Sequence, residues 1–105
     1  MKFSTTDHIP GSDSQEVLGI VTGNVVQSKH VGRDFMANLK GIVGGELKGY
    51  TEMLTEARNI AIERMVTDAH QLGADAIVGV RFTTSSITDG ASEVMAYGTA
   101  VKLSK

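Results

Sequence analysis

The sequence has 105 residues and no cysteine. Disulfide bonds, thiolate metal ligands and a cysteine nucleophile are therefore excluded. A chain of this length can bury a core without such cross-links, so we expect a single domain over residues 1–105. The absence of cysteine is typical of proteins in a reducing compartment, and we expect a cytoplasmic location.

Other features that the chain lacks limit its partners. Aromatic residues make up 5% of the sequence, and the formal net charge is −2 without a basic cluster. Nucleic acids need stacking platforms and cationic patches, so we expect no nucleic-acid partner. No apolar run approaches the roughly 20 residues of a membrane span, and the N-terminus lacks the apolar segment of a signal peptide. We therefore expect no membrane partner.

The sequence does contain well-defined helical and extended patterns. Apolar spacing, Gly73 as a helix stop and the turn signal Asp89-Gly90 mark their limits. The predicted elements are an extended segment at 1–5, a strand at 16–29, a short helix at 32–40, a long helix at 47–72 and strands at 76–87 and 93–103. This order predicts an α+β fold, in which a small, mainly antiparallel sheet of long strands packs on one long helix and one short helix.

The last predicted strand has two apolar faces. Its small residues are expected to face the long helix, and they are Val94, Ala96, Gly98 and Ala100. Its larger residues point the other way, and they are Met95, Tyr97, Val101 and Leu103. One long helix covers one face of a sheet, and the short helix is too small to cover the second face. An apolar face left open in this way is typical of a subunit interface.

The strand before it carries an arginine. Alternation puts Ala76, Val78, Val80 and Phe82 on the core side, and Ile77, Gly79, Arg81 and Thr83 on the other. We expect the face of Arg81 to meet a neighbouring subunit, where its guanidinium pairs with Glu93 or Glu46. The predicted interface residues are Arg81, Glu93, Met95 and Tyr97.

Three charged residues lie in or beside the apolar stripe of the long helix. Arg58 and Asp68 fall inside the stripe, and Arg64 lies at its edge, one turn before Asp68. The favoured interpretation is structural: Arg64 and Asp68 pair as i, i+4 neighbours, or an arginine extends to the rim. The alternative is that Arg58, with Glu46 or Tyr50, lines a pocket at a subunit junction.

A glycine-rich segment, GIVGGEL, precedes this helix. Free backbone N–H groups at a helix start can bind an anion, although a plain helix-breaking connection is the favoured interpretation. The candidate ligand-binding residues are Gly44, Gly45, Glu46, Tyr50 and Arg58.

Metal binding and catalysis have little support in the sequence. His8, His30 and His70 are scattered, with no ligand spacing among them. No nucleophile motif or phosphate-binding loop occurs. We therefore predict no metal ligands, no cofactor and no catalytic residues.

Five stretches of the sequence closely resemble one family. They are TTDHIPG, LGIVTGNVV, GGELKGYTEMLTEAR, ERMVTDAHQLGADAIVGVRF and EVMAYGTAVKL. Together they span almost the whole chain and resemble the YbjQ-like family of bacterial proteins, which carries a heavy-metal-binding label. The resemblance implies a dodecin-like α+β fold and assembly as a homopentamer.

The resemblance says less about chemistry. The family's G-G-E, Y and A-R positions correspond to Gly44, Gly45, Glu46, Tyr50, Ala57 and Arg58. The expected function is a small homo-oligomeric module, with the protein as its own partner, that binds a ligand or partner at subunit junctions. The alternative is heavy-metal binding, and an enzymatic role comes third.

Overall fold

The computed structural model describes residues 1–28, 42–43, 46–88 and 91–104. This part of the chain forms six strands and one helix. They are, in chain order, β1 (Lys2–Phe3), β2 (Ser14–Ser28), β3 (Ile42–Val43), β4 (Glu46–Leu47), α1 (Lys48–Gln71), β5 (Ala76–Thr88) and β6 (Ala91–Ser104). The predicted α+β class is confirmed, and the long elements lie within about two residues of their predicted limits. The predicted short helix and the Asp89-Gly90 turn lie outside the described residues.

Four strands form one mixed sheet in the order β1-β5-β6-β2. The three long strands pair antiparallel, as predicted, whereas β1 runs parallel to β5. β3 and β4 form a separate two-stranded ladder. The 15-residue β2 therefore forms one edge of the main sheet, and the two-residue β1 forms the other edge.

The helix packs on one face of this sheet through small side chains. Ala57, Ala61, Met65 and Ala69 follow one another at intervals of four residues, and all are fully buried. They share a core cluster with Val94, Ala96 and Ala100. The prediction that the small residues of the last strand face the long helix is confirmed for these three.

Gly23 in β2 is the point where the helix comes closest to the sheet. A Cβ atom at this position would overlap the carbonyl oxygen of Ala61 and the backbone nitrogen of Met65. Backbone atoms of a helix cannot rotate out of the way as a side chain can. Only glycine therefore allows the helix to lie in this position.

Gly98 in β6 lies against the neighbouring strand β5. A Cβ atom there would come within 2.7 Å of Ile77 Cγ2 and 3.0 Å of the Val78 carbonyl oxygen. Ile77 belongs to the helix-side cluster, so Gly98 lies on the helix side of the sheet, where it makes room for a side chain of β5.

A bulge in β5 explains the error in the predicted faces of that strand. Val78 pairs with Thr99 and Arg81 pairs with Tyr97, so two residues of β5 oppose Gly98 alone. Gly79 has φ +62°, the left-handed conformation of a G1-type bulge. The bulge reverses the alternation, because one extra residue moves every later side chain to the opposite face.

The corrected faces follow from the two core clusters. Ile77 and Val80 lie with the helix, whereas Ala76 and Val78 lie on the opposite side. The prediction that Val78 and Val80 share a face, and that Arg81 shares one with Ile77, was wrong. We call the sheet face turned away from α1 the outer face, and Arg81 lies on it.

β2 contains a second irregularity. Its register with β6 shifts between Val17 and Gly19, so that Leu18 is the extra residue. Leu18 packs against the helix-side cluster, while Val17 is 68% exposed. The shift turns Val17 to the outer face, whereas Val21 and Val25 lie in the helix-side cluster.

The N-terminal segment covers one end of the outer face. Ile9 is buried there in a second cluster, together with Ala76, Val78 and Val101. Backbone hydrogen bonds fix this segment to β5, among them Ser4 N to Ile77 O at 2.9 Å and Gly79 N to Thr6 O at 2.8 Å. The rest of the outer face has no such cover from the described residues.

The helix ends as the sequence predicts. Gly73 has φ +74°, and the bonds Gly73 N to His70 O (3.0 Å) and Ala74 N to Ala69 O (3.1 Å) form a Schellman motif. The Lys102 ammonium adds a bond to the Gly73 carbonyl oxygen at 3.1 Å. No helix in the described part of the chain is long and apolar enough to cross a membrane.

Gly23→Ala tests the close approach of helix and sheet. We expect the free energy of unfolding to fall by about 3 kcal/mol, the upper end of overpacking costs, because the new methyl group meets helix backbone. Urea unfolding measures the change. Thr22→Ala, an exposed neighbour in the same strand, is the control and should change stability by less than about 0.5 kcal/mol. Equal stability of Gly23→Ala and wild type would contradict this packing.

Candidate functional site

The predicted ligand-binding residues are described only in part. Gly44 and Gly45 lie outside the described residues, and Glu46 and Tyr50 are described by their backbone in β4 and α1. Arg58 is exposed, and its Nη2 atom bonds Thr55 Oγ1 at 3.3 Å within the same helix. Whether these five residues form one site stays a prediction.

The other helix charges stabilise the edge of the sheet. Arg64 Nη1 donates to the carbonyl oxygen of Asn24 at 2.6 Å, and Asp68 Oδ2 accepts from the backbone N–H of Thr22 at 3.2 Å. Both backbone groups belong to β2, an edge strand whose outward groups lack a neighbouring strand. Lys102 and Asp75 form the one ion pair among the described residues. The predicted Arg64–Asp68 pair was therefore wrong, although the structural interpretation of both charges holds.

The predicted interface residues come together on the outer face. Arg81 lies directly opposite Tyr97, and Met95 and Glu93 follow along the same face of β6, opposite Thr83 and Ser85. Tyr97 is 36% exposed, and Met95 and Glu93 are half-buried. These four residues form a contiguous group in the folded chain.

Arg81 and Glu93 have separate partners within one protomer. The Arg81 Nη1 atom donates to the Thr5 carbonyl oxygen at 3.0 Å and to its neighbour Val80 at 2.9 Å. Glu93 Oε2 accepts from Asn24 Nδ2 at 2.9 Å. Four residues of strand, about 13 Å, separate the two along the sheet. The two side chains do not contact each other within the protomer, and their pairing between two protomers stays a prediction.

Large apolar side chains extend this group across β2. Ile20 is 78% exposed and Val26 is 56% exposed, and both lie on the outer face with Val17. Thr22 and Asn24 lie between Ile20 and Val26 in this row of outward side chains. Isolated apolar residues are common on protein surfaces, but several in one row of a sheet face mark a candidate interaction site. The outer face is therefore the strongest candidate for binding in the described part of the chain.

Metal-ligating side chains are dispersed. Among the described residues, no three of the His, Asp and Glu side chains lie together in a group that could hold a metal ion. His8 and His70 are exposed at separate places, and His30 lies outside the described residues.

Two clefts lie elsewhere on the described part of the chain. The smaller, of about 460 Å³, lies along the exposed side of α1 between Thr51 and Glu63. The larger, of about 650 Å³, lies between the N-terminal segment and the ends of β5 and β6. Neither cleft is lined by Arg58 or by the predicted interface residues.

The sequence did not predict the contacts that Arg64, Asp68 and Ile9 make with distant strands. Nothing in local spacing indicates that Arg64 and Asp68 bond to β2, because that strand lies some 40 positions away. The cover that Ile9 gives to the outer face is equally non-local. Gly79 did carry a usable signal, since an isolated glycine inside a strand suggests a bulge.

Comparison with known proteins identifies the family. A family model described as "Putative heavy-metal-binding", that of the YbjQ-like proteins, matches residues 1–104. The chain belongs to the YbjQ-like family. A UPF0145 protein of Vibrio campbellii is 72% identical over 103 residues, which cover 98% of this chain and 99% of the relative. A UPF0145 protein of Thermotoga maritima is 60% identical over 105 residues, which cover 100% and 99%.

A solved structure has the same fold as this YbjQ-like chain. It is a protein of unknown function from the DUF74 family of Pediococcus pentosaceus, with a TM-score of 0.69 and 17% sequence identity. The match covers 99% of this chain and 98% of the other. At this identity the likeness establishes the fold alone.

Asp68→Ala tests the bond from the helix to the edge of β2. Loss of the acceptor should increase the exchange rate of the Thr22 amide by about fivefold, the equivalent of one net hydrogen bond. Hydrogen exchange followed by NMR measures this rate. Asp68→Asn keeps an acceptor oxygen, and Glu63→Ala removes an exposed carboxylate from the same helix, so both should leave the rate unchanged. An unaltered rate in Asp68→Ala would contradict the bond.

Proposed function

We propose that this YbjQ-like protein is a subunit of a homo-oligomeric binding module. The observation that carries the proposal is an excess of surface. The chain exposes 6852 Å², whereas a compact monomer of this size exposes roughly 5,650 Å². The difference of roughly 1,200 Å² exceeds the area of about 800 Å² that one partner buries in a standard interface.

The dimensions of the chain support the same proposal. Its radius of gyration is 16.8 Å, against about 13 Å for a compact domain of this length. The principal extents of 52 × 28 × 17 Å are those of a flat slab, and α1 lies on one side of its sheet. Such a shape is typical of a subunit that is completed by its neighbours.

The outer face is the surface that we propose for assembly. It carries the apolar row of Val17, Ile20 and Val26 beside Tyr97 and Met95. The number five is what the resemblance to the YbjQ-like family implies. A closed ring of five requires two different complementary surfaces on each subunit, because a cyclic assembly is joined head to tail. We propose the outer face, with Arg81 and Glu93, as one of these two surfaces.

The ligand or partner would then bind where subunits meet. Arg58 supports this part of the proposal, since it is exposed and its guanidinium bonds only Thr55 among the described residues. An unpaired cation at a junction suits an anionic ligand. Gly44, Gly45, Glu46 and Tyr50 stay candidates beside it. A cytoplasmic location is part of the same proposal.

Heavy-metal binding is the second candidate, and the family description favours it. Within one protomer, His8 and His70 are the exposed imidazoles of the described residues. A site would have to combine side chains from two subunits or include His30. The geometry gives this candidate less support than the open apolar face gives to assembly.

Arg81→Glu tests the assembly surface. If its guanidinium pairs with a carboxylate across the junction, the reversal should cost about 2–5 kcal/mol at each junction. Light scattering should then report smaller species than the wild-type pentamer at low micromolar concentration. Ile20→Asp should have the same effect through the apolar row. Glu63→Lys, a charge reversal on the exposed side of α1, is the control, and a fully pentameric Arg81→Glu protein would exclude Arg81 from the interface.

A measurement of metal binding distinguishes the homo-oligomeric binding module from the heavy-metal-binding function. For the binding module we expect no saturable, stoichiometric binding of zinc, copper or nickel below micromolar concentration, because the described ligands are dispersed. Native mass spectrometry with elemental analysis measures the metal content. Tight binding that disappears when His8, His30 and His70 are all changed to alanine would favour the heavy-metal function instead.

A further inference from the structure

The cleft beneath the N-terminal segment has the dimensions of a small-molecule site. Its volume of about 650 Å³ lies within the range of about 300–1,000 Å³ that is usual for such sites. It lies within one protomer, and it is lined neither by the candidate ligand residues nor by the predicted interface residues. It is therefore independent of the function proposed above.

The walls of this cleft are held in place by hydrogen bonds, both local and long-range. The Ile9 N–H donates to Gln15 Oε1 at 3.2 Å, which fixes the segment over β2. Ser12 Oγ donates to the carbonyl oxygens of Ser14 at 2.8 Å and Ser104 at 3.1 Å. Arg81 fixes the same segment through Thr5. A cleft with walls tied in this way is formed before a ligand arrives, which reduces the entropy lost on binding.

The lining, which includes Met1, combines an apolar surface with one unpaired side-chain charge. Ile9, Pro10 and Leu103 form the apolar part. The carboxylate of Asp75 already accepts from the Leu103 N–H at 2.9 Å and lies 3.7 Å from the Lys102 ammonium. Lys2 also lines the cleft, and its ammonium has no hydrogen bond or ion pair with the described residues.

Among the charged side chains of the cleft, the Lys2 ammonium is thus the one without a partner in the described residues, and it lies beside the apolar wall. The hydroxyl groups of Ser12 and Ser104 are already bonded, and the charge of Asp75 is balanced by Lys102. A complementary ligand has one anionic group and an apolar body, because its charge pairs with Lys2 while its body covers Ile9 and Leu103. We infer that this cleft binds a small organic anion with an apolar body, of the monocarboxylate or monophosphate class.

The test compares matched ligands on the whole wild-type protein. Amide chemical shifts are followed by NMR during titration with 3-phenylpropionate, with 3-phenylpropyl phosphate and with the neutral 3-phenylpropanamide. Both anions should shift the amides of Lys2, Ile9, Gly11 and Leu103, and should bind about three- to fivefold more tightly than the neutral amide, the value of an exposed charge pair. The tighter anion identifies the head group.

Two variants separate the charge from the apolar wall. Lys2→Gln should remove the preference for the anions and leave the binding of the neutral amide unchanged. Leu103→Ala should weaken all three ligands together. Glu63→Gln changes an exposed charge at a distant position on α1 and should change nothing. The inference is overturned if the anions and the amide bind equally to wild type, if Lys2→Gln keeps the preference, or if the shifted amides lie at Ile20–Val26 on the open outer face.

Discussion

The direct contact between the backbone of α1 and the backbone of β2 is the interaction on which the rest of the structure depends. At Gly23 the helix lies against the strand with no side chain between them, and Ala61 and Met65 supply the opposing backbone atoms. The helix α1, of 24 residues and about 36 Å long, covers one face of strands that run for about 43–50 Å. Among the described residues, the N-terminal segment covers one end of the outer face, and the rest of that face is open. The N-terminal segment, the open apolar row and the excess surface all follow from this one-sided packing.

Two of the three register shifts in the long strands adapt the sheet to this arrangement, and the third lies between Ser86 and Thr88 near the end of β5. At Leu18 and at Gly79 one extra residue changes which side chains face the helix. In both strands the apolar residues then remain under the helix over its whole length, since Leu18 and Val80 join the helix-side cluster. On the opposite side, Ala76 and Val78 become available to Ile9. The bulges therefore affect the packing on both faces of the sheet, and a substitution at Gly79 would disturb the packing on both faces.

The sequence predicted which residues of the candidate site share a face, but not which partners its charged residues have. Arg81, Met95 and Tyr97 do share one exposed face, because alternation holds on either side of a bulge as long as the strand continues. The partners of the charged residues could not be predicted. Arg64 and Asp68 look like an ion pair by spacing, yet each bonds to a strand edge instead. Hydrogen-bonding groups at an edge attract nearby side chains, and which side chains are near is decided by how the helix crosses the strand.

The sequence by itself determined the number, order and limits of the long elements, the α+β class and the small-residue face that receives the helix. It could do so because these features rest on local spacing: alternation in strands, the row of Ala57, Ala61 and Met65 in the helix, and Gly73 at its end. Only the tertiary structure decided which glycine meets the helix, where the alternation reverses and what covers the outer face. Those outcomes depend on contacts between residues far apart in the chain, such as Gly23 with Ala61 and Ile9 with Val101. Such contacts leave no periodic pattern in the residues that make them.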